Sequence, residues 1–305
     1  MTSAALPARP AAVRAAGALW RFARPHTIIG TALSVAGLYA IAVAEEANRR
    51  GAWDLAATLV AGLAVNVAIV GVNQLTDVDI DRVNKPYLPV AAGDLSPKAA
   101  RNIVAACTVV PLAMALTQGP QETAAVAAGL AVGALYSLPP TRLKRFPFAA
   151  SLCITGVRSL VVNLGVYWHF AHQIAPPVWA LCLFVLPFSF AIAVLKDVPD
   201  IEGDRRFAIR TFSVRVGPHR VFAIGLGALY LAYAGMAIAG PIALQGHVQP
   251  AILVAGQVGA AALLTLAARR ADPTDRASFT RFYMRVWALF FLQYVLVPLA
   301  CLAAG

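Results

Sequence analysis

The chain has 305 residues, of which 60% are apolar and only 13% carry a formal charge. A soluble domain carries about 25% charged residues, so this composition excludes an ordinary soluble protein and indicates an integral membrane protein. The formal net charge of +11 does not indicate nucleic-acid binding, because membrane proteins concentrate Lys and Arg in their cytoplasmic loops.

The N-terminal segment, residues 1–26, contains four arginines in Ala- and Pro-rich sequence. It has neither the apolar run nor the small-residue cleavage site of a signal peptide. Basic and apolar side chains alternate between Arg14 and Arg24. We therefore expect a short amphipathic helix on the cytoplasmic surface of the membrane.

Nine segments are long and apolar enough to cross a bilayer as helices, which need about 20 such residues. The expected spans are residues 27–45, 52–74, 98–117, 122–138, 147–169, 176–196, 218–239, 249–268 and 284–303. No linker divides them, so we expect a single domain over residues 1–305. The predicted fold is all-α, a polytopic membrane bundle of nine transmembrane helices around a central cavity.

The basic residues indicate how the bundle is oriented in the membrane. A cytoplasmic N-terminus would place 22 of the 25 Lys and Arg residues in cytoplasmic segments or at the helix ends beside them. Only Arg49 and Arg50 would lie in outer loops, and Arg158 would lie about halfway through the fifth span. The asymmetry predicts a cytoplasmic N-terminus and, after nine spans, an outer C-terminus.

The cysteines fall inside apolar spans and form no CxxC pair. Cysteines in such positions are usually small buried apolar residues. We expect neither a disulfide nor a zinc site among Cys107, Cys153, Cys182 and Cys301.

Three carboxylates, Asp77, Asp79 and Asp81, follow the second span within five residues. A carboxylate beside hydrocarbon is costly unless it is paired or binds a cation. Asp77 and Asp81 are four residues apart and would share one face of a continuing helix, from which Asp79 would point away. Mg²⁺ takes oxygen ligands and is often held by one or two carboxylates together with substrate phosphates.

A second cluster follows the sixth span, where Asp200 and Asp204 repeat the four-residue spacing. Lys196 precedes Asp200 by the same interval that separates Asn73 from Asp77. Four helices lie between the clusters, which indicates two four-helix pseudo-repeats plus one helix and brings both clusters to one face. We expect the two pairs to hold Mg²⁺ and a diphosphate. A solvated polar cap is the alternative for either pair alone, and transporters also use such repeats.

Basic residues near the same face suit phosphate oxygens. Arg142 and Lys144 follow Tyr136 at the end of the fourth span, and Lys85 follows the first acidic cluster. Ordinary cytoplasmic charge is the alternative for each of these cations. Arg158 is different, because an ionisable residue inside a span marks a functional site or a structural partner for a buried carboxylate or carbonyl.

The two acidic clusters together resemble the signature motifs of the UbiA-type intramembrane prenyltransferases, a family with nine transmembrane helices and Asp-rich motifs after the second and sixth. Five stretches are similar to the homogentisate prenyltransferase branch, which makes precursors of tocopherols and plastoquinones. These stretches are Arg24-Pro25-His26-Thr27, NQLTDVDIDRVNKPYLPVAAGDLS, YSLPPTRLKRFP, VRSLVVNLGVY and KDVPDIEGDRRF.

The resemblance implies Mg²⁺-dependent transfer of a polyprenyl group from a prenyl diphosphate to an aromatic acceptor, homogentisate or a related phenolic acid. The expected metal ligands, which with Lys196 form the expected catalytic set, are Asp77, Asp81, Asp200 and Asp204. The residues expected to bind substrate are Asn73, Lys85, Arg142, Lys144, Tyr136, Arg158, Arg24, His26 and Asp197. Of these, Arg24 and His26 are the candidates for holding the acceptor.

The implied reaction forms an allylic cation at C1, which the electron-rich ring captures. Apolar helices would exclude the water that otherwise converts the cation to an alcohol, and loss of CO₂ from homogentisate would restore aromaticity. One alternative is a UbiA-type terpene cyclase, which needs no aromatic acceptor, and another is a cation-coupled transporter. The expected location is a bacterial cell membrane, with the acidic motifs on the cytoplasmic side.

Overall fold

The computed structural model describes residues 11–207 and 209–304, and over these residues the chain is helical and contains no β-strand. Residues 1–10 of the predicted N-terminal segment lie outside the described part. A π-helical segment, Val157–Val162, joins α8 to α9. The helices are α1 (Ala11–Phe22), α2 (Pro25–Ala44), α3 (Ala52–Thr76), α4 (Val78–Asn84), α5 (Pro89–Ala92), α6 (Pro97–Gln118), α7 (Pro120–Ser137), α8 (Pro147–Gly156), α9 (Asn163–Ala171), α10 (Pro176–Leu195), α11 (Ile201–Arg206), α12 (Phe212–Val216), α13 (Pro218–Ala243), α14 (Pro250–Ala268) and α15 (Arg276–Leu302).

In the described part of the chain, eight helical segments are long and apolar enough to cross a membrane. They are α2, α3, α6, the continuous segment Pro147–Ala171, α10, α13, α14 and α15. The fourth expected span is present as α7 but is not among the eight. Its 18 residues begin with the polar run Gln121-Glu122-Thr123, which lowers its mean hydropathy. The chain is an integral membrane protein with the predicted helical architecture.

Prolines mark the start of most of the long helices. The fixed φ of proline suits the first helical turn, where its missing N–H would have had no partner anyway. The long helices that begin in this way are α2, α6, α7, α8, α10, α13 and α14.

The last helix begins eight residues earlier than predicted, so the expected boundary at residue 284 is wrong. The Asp275 carboxylate caps α15 by accepting hydrogen bonds from the N–H groups of Ala277 at 3.0 Å and Ser278 at 3.2 Å. The first two turns of α15 carry arginines, which an apolar-run criterion assigns to a loop. A capped polar end therefore extends this helix beyond its apolar stretch.

Within residues 11–207 and 209–304, six inner helical segments surround a central cavity and three outer helices pack behind them. The inner set is α2, α3, α7, α8 with α9, α10 and α15, all of which line the cavity. Outside them, α6 packs on α3 and α7, α13 packs on α10, and α14 packs between α13 and α15. The predicted bundle around a central cavity is thus confirmed.

The largest buried core lies on the α10 and α15 side of the bundle. Phe188 of α10 packs against Tyr233 of α13 and Phe290 of α15, with ring centroids 5.9 Å and 5.7 Å apart. Large aromatic side chains supply most of the buried apolar area in such a core. This side of the molecule holds α15 in place as one wall of the cavity.

The predicted amphipathic helix is present as α1, which ends at Phe22 rather than at Arg24. Phe22 is buried, whereas Leu19 and Trp20 are about half exposed. The Gln74 side chain donates to the Phe22 carbonyl oxygen at 2.7 Å, which fastens the end of α1 to α3. The location of α1 on a membrane surface stays a prediction.

Candidate active site

The first acidic cluster lies where α3 breaks. The helix ends at Thr76, and Asp77 has φ −121° and ψ 21° before α4 begins. Asp77 and Asp81 therefore do not lie on one continuing helix, and that detail of the prediction is wrong. The Asp81 N–H still donates to the Asp77 carbonyl oxygen at 2.8 Å, so the four-residue spacing closes one turn.

The second cluster has a matching local structure. α10 ends at Leu195, and Asp200 has φ −99° and ψ 1° immediately before α11. The Asp204 N–H donates to the Asp200 carbonyl oxygen at 3.0 Å. The short helices α4 and α11 pack against each other, so the two acidic clusters meet as predicted.

Asn84 and Gly203 form the contact between these short helices, and the sequence analysis did not identify either. The Asn84 side-chain amide donates to Asp204 Oδ1 at 3.2 Å. A Cβ atom added to Gly203 would lie only 1.9 Å from Asn84 Oδ1, so only glycine allows this approach. The sequence did contain one indication of a role for Asn84, because this residue follows Asp81 by one helical turn.

Asp77 is surrounded by donors from α3 and from the loop between α7 and α8. Arg142 Nη2 lies 3.0 Å from its carboxylate, and Lys144 Nζ lies 2.7 Å from it. The Asn73 amide donates to Asp77 Oδ2 at 3.2 Å, and Arg24 Nη2 donates to Asn73 Oδ1 at 3.4 Å. Five of the predicted site residues therefore form one bonded group.

A second group of predicted site residues surrounds Asp200. The Lys85 ammonium forms an ion pair with the Asp200 carboxylate. Lys196 Nζ lies 3.4 Å from Asp197 Oδ1 and donates to the Tyr136 hydroxyl at 3.0 Å. Predicted phosphate contacts and predicted metal ligands are thus interleaved around one space.

Asp79 lies outside both groups. Its side chain is 78% exposed and pairs with Arg82 at 2.8 Å. This exposure agrees with the expectation that Asp79 points away from Asp77 and Asp81, although the continuing helix on which that expectation depended is interrupted at Asp77.

A single cavity of about 880 Å³ collects all the predicted site residues. Their placement at one cavity is a structural fact, whereas the role of each remains a prediction. The predicted residues that line it are Arg24, His26, Asn73, Asp77, Asp81, Lys85, Tyr136, Arg142, Lys144, Arg158, Lys196, Asp197, Asp200 and Asp204.

The cavity runs from this polar mouth deep into the bundle. Along α3 it is lined from Asp77 to Thr58, which corresponds to about 28 Å of helix rise. Glycines and valines of α3, α7 and α9 form much of the wall between. At the far end Thr58 and Glu122 are 1% and 2% exposed, so this end of the cavity is closed.

Arg158 lies within the wall of the cavity, on the π-helical segment Val157–Val162. Its guanidinium carbon lies 4.5 Å from the centre of the Trp287 ring. The His26 ring meets the same indole edge to face, with centroids 4.9 Å apart. One cation and two aromatic rings from three helices therefore converge on the middle of the cavity.

Burial changes the electrostatics of the carboxylates at the mouth. Loss of water raises the pKa of Asp81 to about 6 and that of Asp204 to about 7. Burial acts to lower the pKa of Lys196, but the Asp197 carboxylate and the Tyr136 hydroxyl hold that pKa above its ordinary value. Positive charge placed beside Asp81 and Asp204 would lower both pKa values and favour the ionised carboxylates.

The donor set at the mouth fits a divalent cation shared with a phosphate ligand. Asp81 Oδ2 is buried and has no hydrogen-bond partner, so an oxygen is available to a metal. Within the described ranges, no three His, Cys, Asp or Glu side chains lie close enough to hold a metal alone. Mg²⁺ commonly keeps waters and takes its remaining ligands from phosphate, and this arrangement suits it.

The fold and the cavity together define a polytopic helical membrane protein whose cavity has a charged mouth and a largely apolar interior. The family comparison makes this specific: residues 31–291 match the UbiA prenyltransferase family. The chain belongs to that family and is a prenyltransferase.

Several relatives of known name align over most of the chain. Homogentisate phytyltransferase from Synechocystis sp. is 43% identical, covering 93% of this chain and 95% of that protein. Homogentisate solanesyltransferase from Arabidopsis thaliana is 37% identical, covering 92% and 76%. Homogentisate geranylgeranyltransferase from Triticum aestivum is 35% identical, covering 92% and 72%.

Solved structures of more distant proteins share the fold. A UbiA homolog from Archaeoglobus fulgidus bound to GPP and Mg²⁺ has a TM-score of 0.66 at 18% identity, covering 94% of this chain and 99% of that one. A digeranylgeranylglyceryl phosphate synthase has a TM-score of 0.66 at 14% identity, with the same coverage.

Proposed function

We propose that this enzyme transfers a prenyl group from a prenyl diphosphate to homogentisate, with Mg²⁺ as cofactor. The observation that carries the proposal is the cavity, which joins an acidic and basic mouth to a long apolar interior. The named relatives above, which act on homogentisate with prenyl donors, support the choice of acceptor.

The carboxylates at the mouth would hold the cofactor. Asp77 and Asp81 face Asp200 and Asp204 across the contact between α4 and α11. Bound Mg²⁺ would act as a Lewis acid on the diphosphate oxygens and help orient them. Asn84 would keep Asp204 in position through its hydrogen bond.

The cations at the mouth would stabilise the leaving group. When the C1–O bond breaks, both electrons leave with the diphosphate oxygen, and negative charge grows there. Lys196, Arg142, Lys144 and Lys85 lie around this space and would meet that charge with preorganised donors. Each is already held by a carboxylate or hydroxyl partner, which fixes its side chain before the substrate arrives.

The interior of the cavity would protect the allylic cation. Its walls are largely apolar, and a water-poor site prevents capture of the cation as an alcohol. A ring carbon of the acceptor would instead supply the electron pair for the new bond to C1. Loss of the proton from the substituted ring carbon would then restore the aromatic ring, and loss of CO₂ from the acetate side chain, with a proton taken up at its CH₂ carbon, would leave a methyl group.

We also propose that the mouth of the cavity faces the cytoplasm. The concentration of 22 of the 25 Lys and Arg residues on that side supports this orientation. The N-terminus would then be cytoplasmic and the C-terminus would lie outside, in a bacterial cell membrane.

The test is an assay of the purified protein in detergent with Mg²⁺, a panel of prenyl diphosphates, and either homogentisate or 4-hydroxybenzoate. We expect a prenylated product from homogentisate, identified by mass, that disappears with EDTA and returns with excess Mg²⁺. Full activity in chelator would contradict the metal assignment. A cyclic hydrocarbon or alcohol formed without any acceptor would contradict the transferase assignment and favour a cyclase.

A further inference from the structure

Arg158 is a cation without an acidic partner among the described residues, and it lies inside a membrane-spanning segment, Pro147–Ala171. Its Nη1 atom is buried without a hydrogen-bond partner. No ion pair among the described residues involves it. A buried guanidinium without an anion is costly, so its retention at the cavity wall calls for a ligand that supplies the charge.

The local backbone favours the same conclusion. Arg158 lies in the π-helical segment Val157–Val162, and such segments inside α-helices are frequently found at functional sites. Buried Ser159 and Asn163 face the helix packing, and Asn163 accepts a hydrogen bond from the Tyr294 hydroxyl at 2.7 Å. The segment is thus fixed on its packed side while Arg158 lines the cavity.

The surroundings of Arg158 distinguish an acidic aromatic ligand from the donor diphosphate. At the mouth of the cavity, basic side chains are paired with carboxylates. Lys144 pairs with Asp77, and Lys196 pairs with Asp197. Arg158 lies about 16 Å of helix rise beyond Pro147, where the helix leaves the loop that carries Lys144. Its neighbours there are rings rather than metal ligands.

Trp287 contacts both Arg158 and His26 and so fixes the geometry around the Arg158 guanidinium. The indole lies under the guanidinium at 4.5 Å, and such a cation–π contact fixes the plane of the arginine while leaving its edge N–H groups free to bind. The His26 ring packs against the same indole in a T-shaped contact. Arg158 and His26 both line the cavity beside this indole, so a flat ring carrying a carboxylate can lie in the cavity next to His26 with its acid group at Arg158.

We infer that Arg158 binds the carboxylate of the aromatic acceptor and so selects acidic phenols over neutral ones. The inference rests on the proposed function and adds to it the residue that binds the carboxylate of the acceptor. It also moves the acid-binding role away from Arg24, whose guanidinium contacts Asn73 beside Asp77 and so belongs to the donor end.

The experiment measures binding, so that it does not depend on turnover. Homogentisate and its methyl ester are titrated calorimetrically into protein saturated with Mg²⁺ and geranylgeranyl thiolodiphosphate, a donor analogue that ionises poorly. The unaltered protein is expected to bind the acid about 10- to 100-fold more tightly than the ester, the range of a charge-assisted pair. Arg158→Gln is expected to abolish this preference, because it should weaken the binding of homogentisate and leave the binding of the ester unchanged.

Three further variants make the test specific. Arg158→Lys keeps the charge without the planar fork and is expected to regain part of the preference. Arg24→Gln and the exposed Arg101→Gln are expected to keep it. Loss of the preference in Arg24→Gln with retention in Arg158→Gln would overturn the assignment.

Different experimental results would contradict this inference and the proposed function. Equal binding of acid and ester by the unaltered protein would overturn the role of Arg158, even if homogentisate were prenylated. Absence of any prenylated product from homogentisate would overturn the proposed acceptor. An acid preference that disappears only in Arg158→Gln would then still support the assignment of Arg158 to a carboxylated aromatic ligand.

Discussion

Asp77 accepts from three side chains at once, those of Asn73, Arg142 and Lys144. A carboxylate in this position has two effects on the site. It would supply oxygens to the proposed Mg²⁺, and it holds the Arg142 and Lys144 side chains beside the proposed position of the diphosphate. Removal of its charge should therefore affect both the metal and the leaving group.

Asp77→Asn is expected to lower kcat by at least roughly 100-fold, because a metal ligand and the anchor of two cations are lost together. Prenyl transfer by the purified variant is the measurement. Asp79→Asn is the matched control, since Asp79 lies two residues away and is largely exposed. Near-normal turnover by Asp77→Asn would contradict its assignment as a ligand.

At the scale of single residues, the sequence was most informative where a residue type conflicts with its surroundings. Carboxylates and an arginine beside hydrocarbon are costly, so Asp77, Asp200 and Arg158 could be identified without a structure. Asn84 was not identified, although it follows Asp81 by one helical turn, because a neutral amide near a helix end is common and its partner Asp204 is distant in sequence. Gly203 was missed for the same reason, since a close approach is a property of two segments.

The packing of α4 on α11 brings the two acidic motifs together. Both helices are short, with 7 and 6 residues, and helices of this length are not stable by themselves. Their positions therefore depend on the contact between Asn84 and Gly203 and on the bond from Arg276 to the Asn84 carbonyl oxygen.

Gly203→Ala is expected to push Asn84 away from Asp204, because the new Cβ would overlap the Asn84 side chain. The cost should be about 1–3 kcal/mol of stability, accompanied by weaker activation by Mg²⁺. Thermal unfolding in detergent and the Mg²⁺ dependence of turnover are the measurements. Gly227→Ala, in α13 with open space around its Cβ position, is the control and should be neutral or slightly stabilising. Unchanged Mg²⁺ dependence in Gly203→Ala would contradict a role of this contact in metal binding.

At the scale of helices, apolar length predicted nearly every long element. What the pattern could not show was the break in the chain at Asp77. A four-residue spacing closes one turn both in a continuous helix and in a helix that restarts after one irregular residue. The start of α15 was missed because its arginine-rich first turns lack the apolar signal, although Asp275 caps them.

The length of the cavity limits the length of the prenyl chain that the donor can carry. The relatives named above use phytyl, geranylgeranyl and solanesyl groups, so relationship alone does not fix the chain length. The wall from Asp77 to Thr58 measures about 28 Å. An extended carbon chain advances roughly 1.2 Å per bond, as the spacing of an extended backbone implies.

A donor with four isoprene units, such as geranylgeranyl or phytyl diphosphate, is therefore expected to be preferred over solanesyl diphosphate. Four units extend to roughly 19 Å, whereas nine units extend to roughly 43 Å and would reach beyond the buried Glu122. Competition between the two donors, with products separated by mass, is the measurement. Equal use of both would mean that the tail leaves the bundle between helices before reaching the closed end.

The connection between α6 and α7 has a consequence for how the chain enters the membrane. Gly119, with φ +117°, is the single residue between Gln118 and Pro120, so the two helices form a hairpin that reverses within one residue. α7 is not among the eight segments that are apolar enough to span a membrane, and it carries Glu122 in its first turn. We therefore expect α7 to enter the membrane together with α6, as a hairpin, rather than by itself.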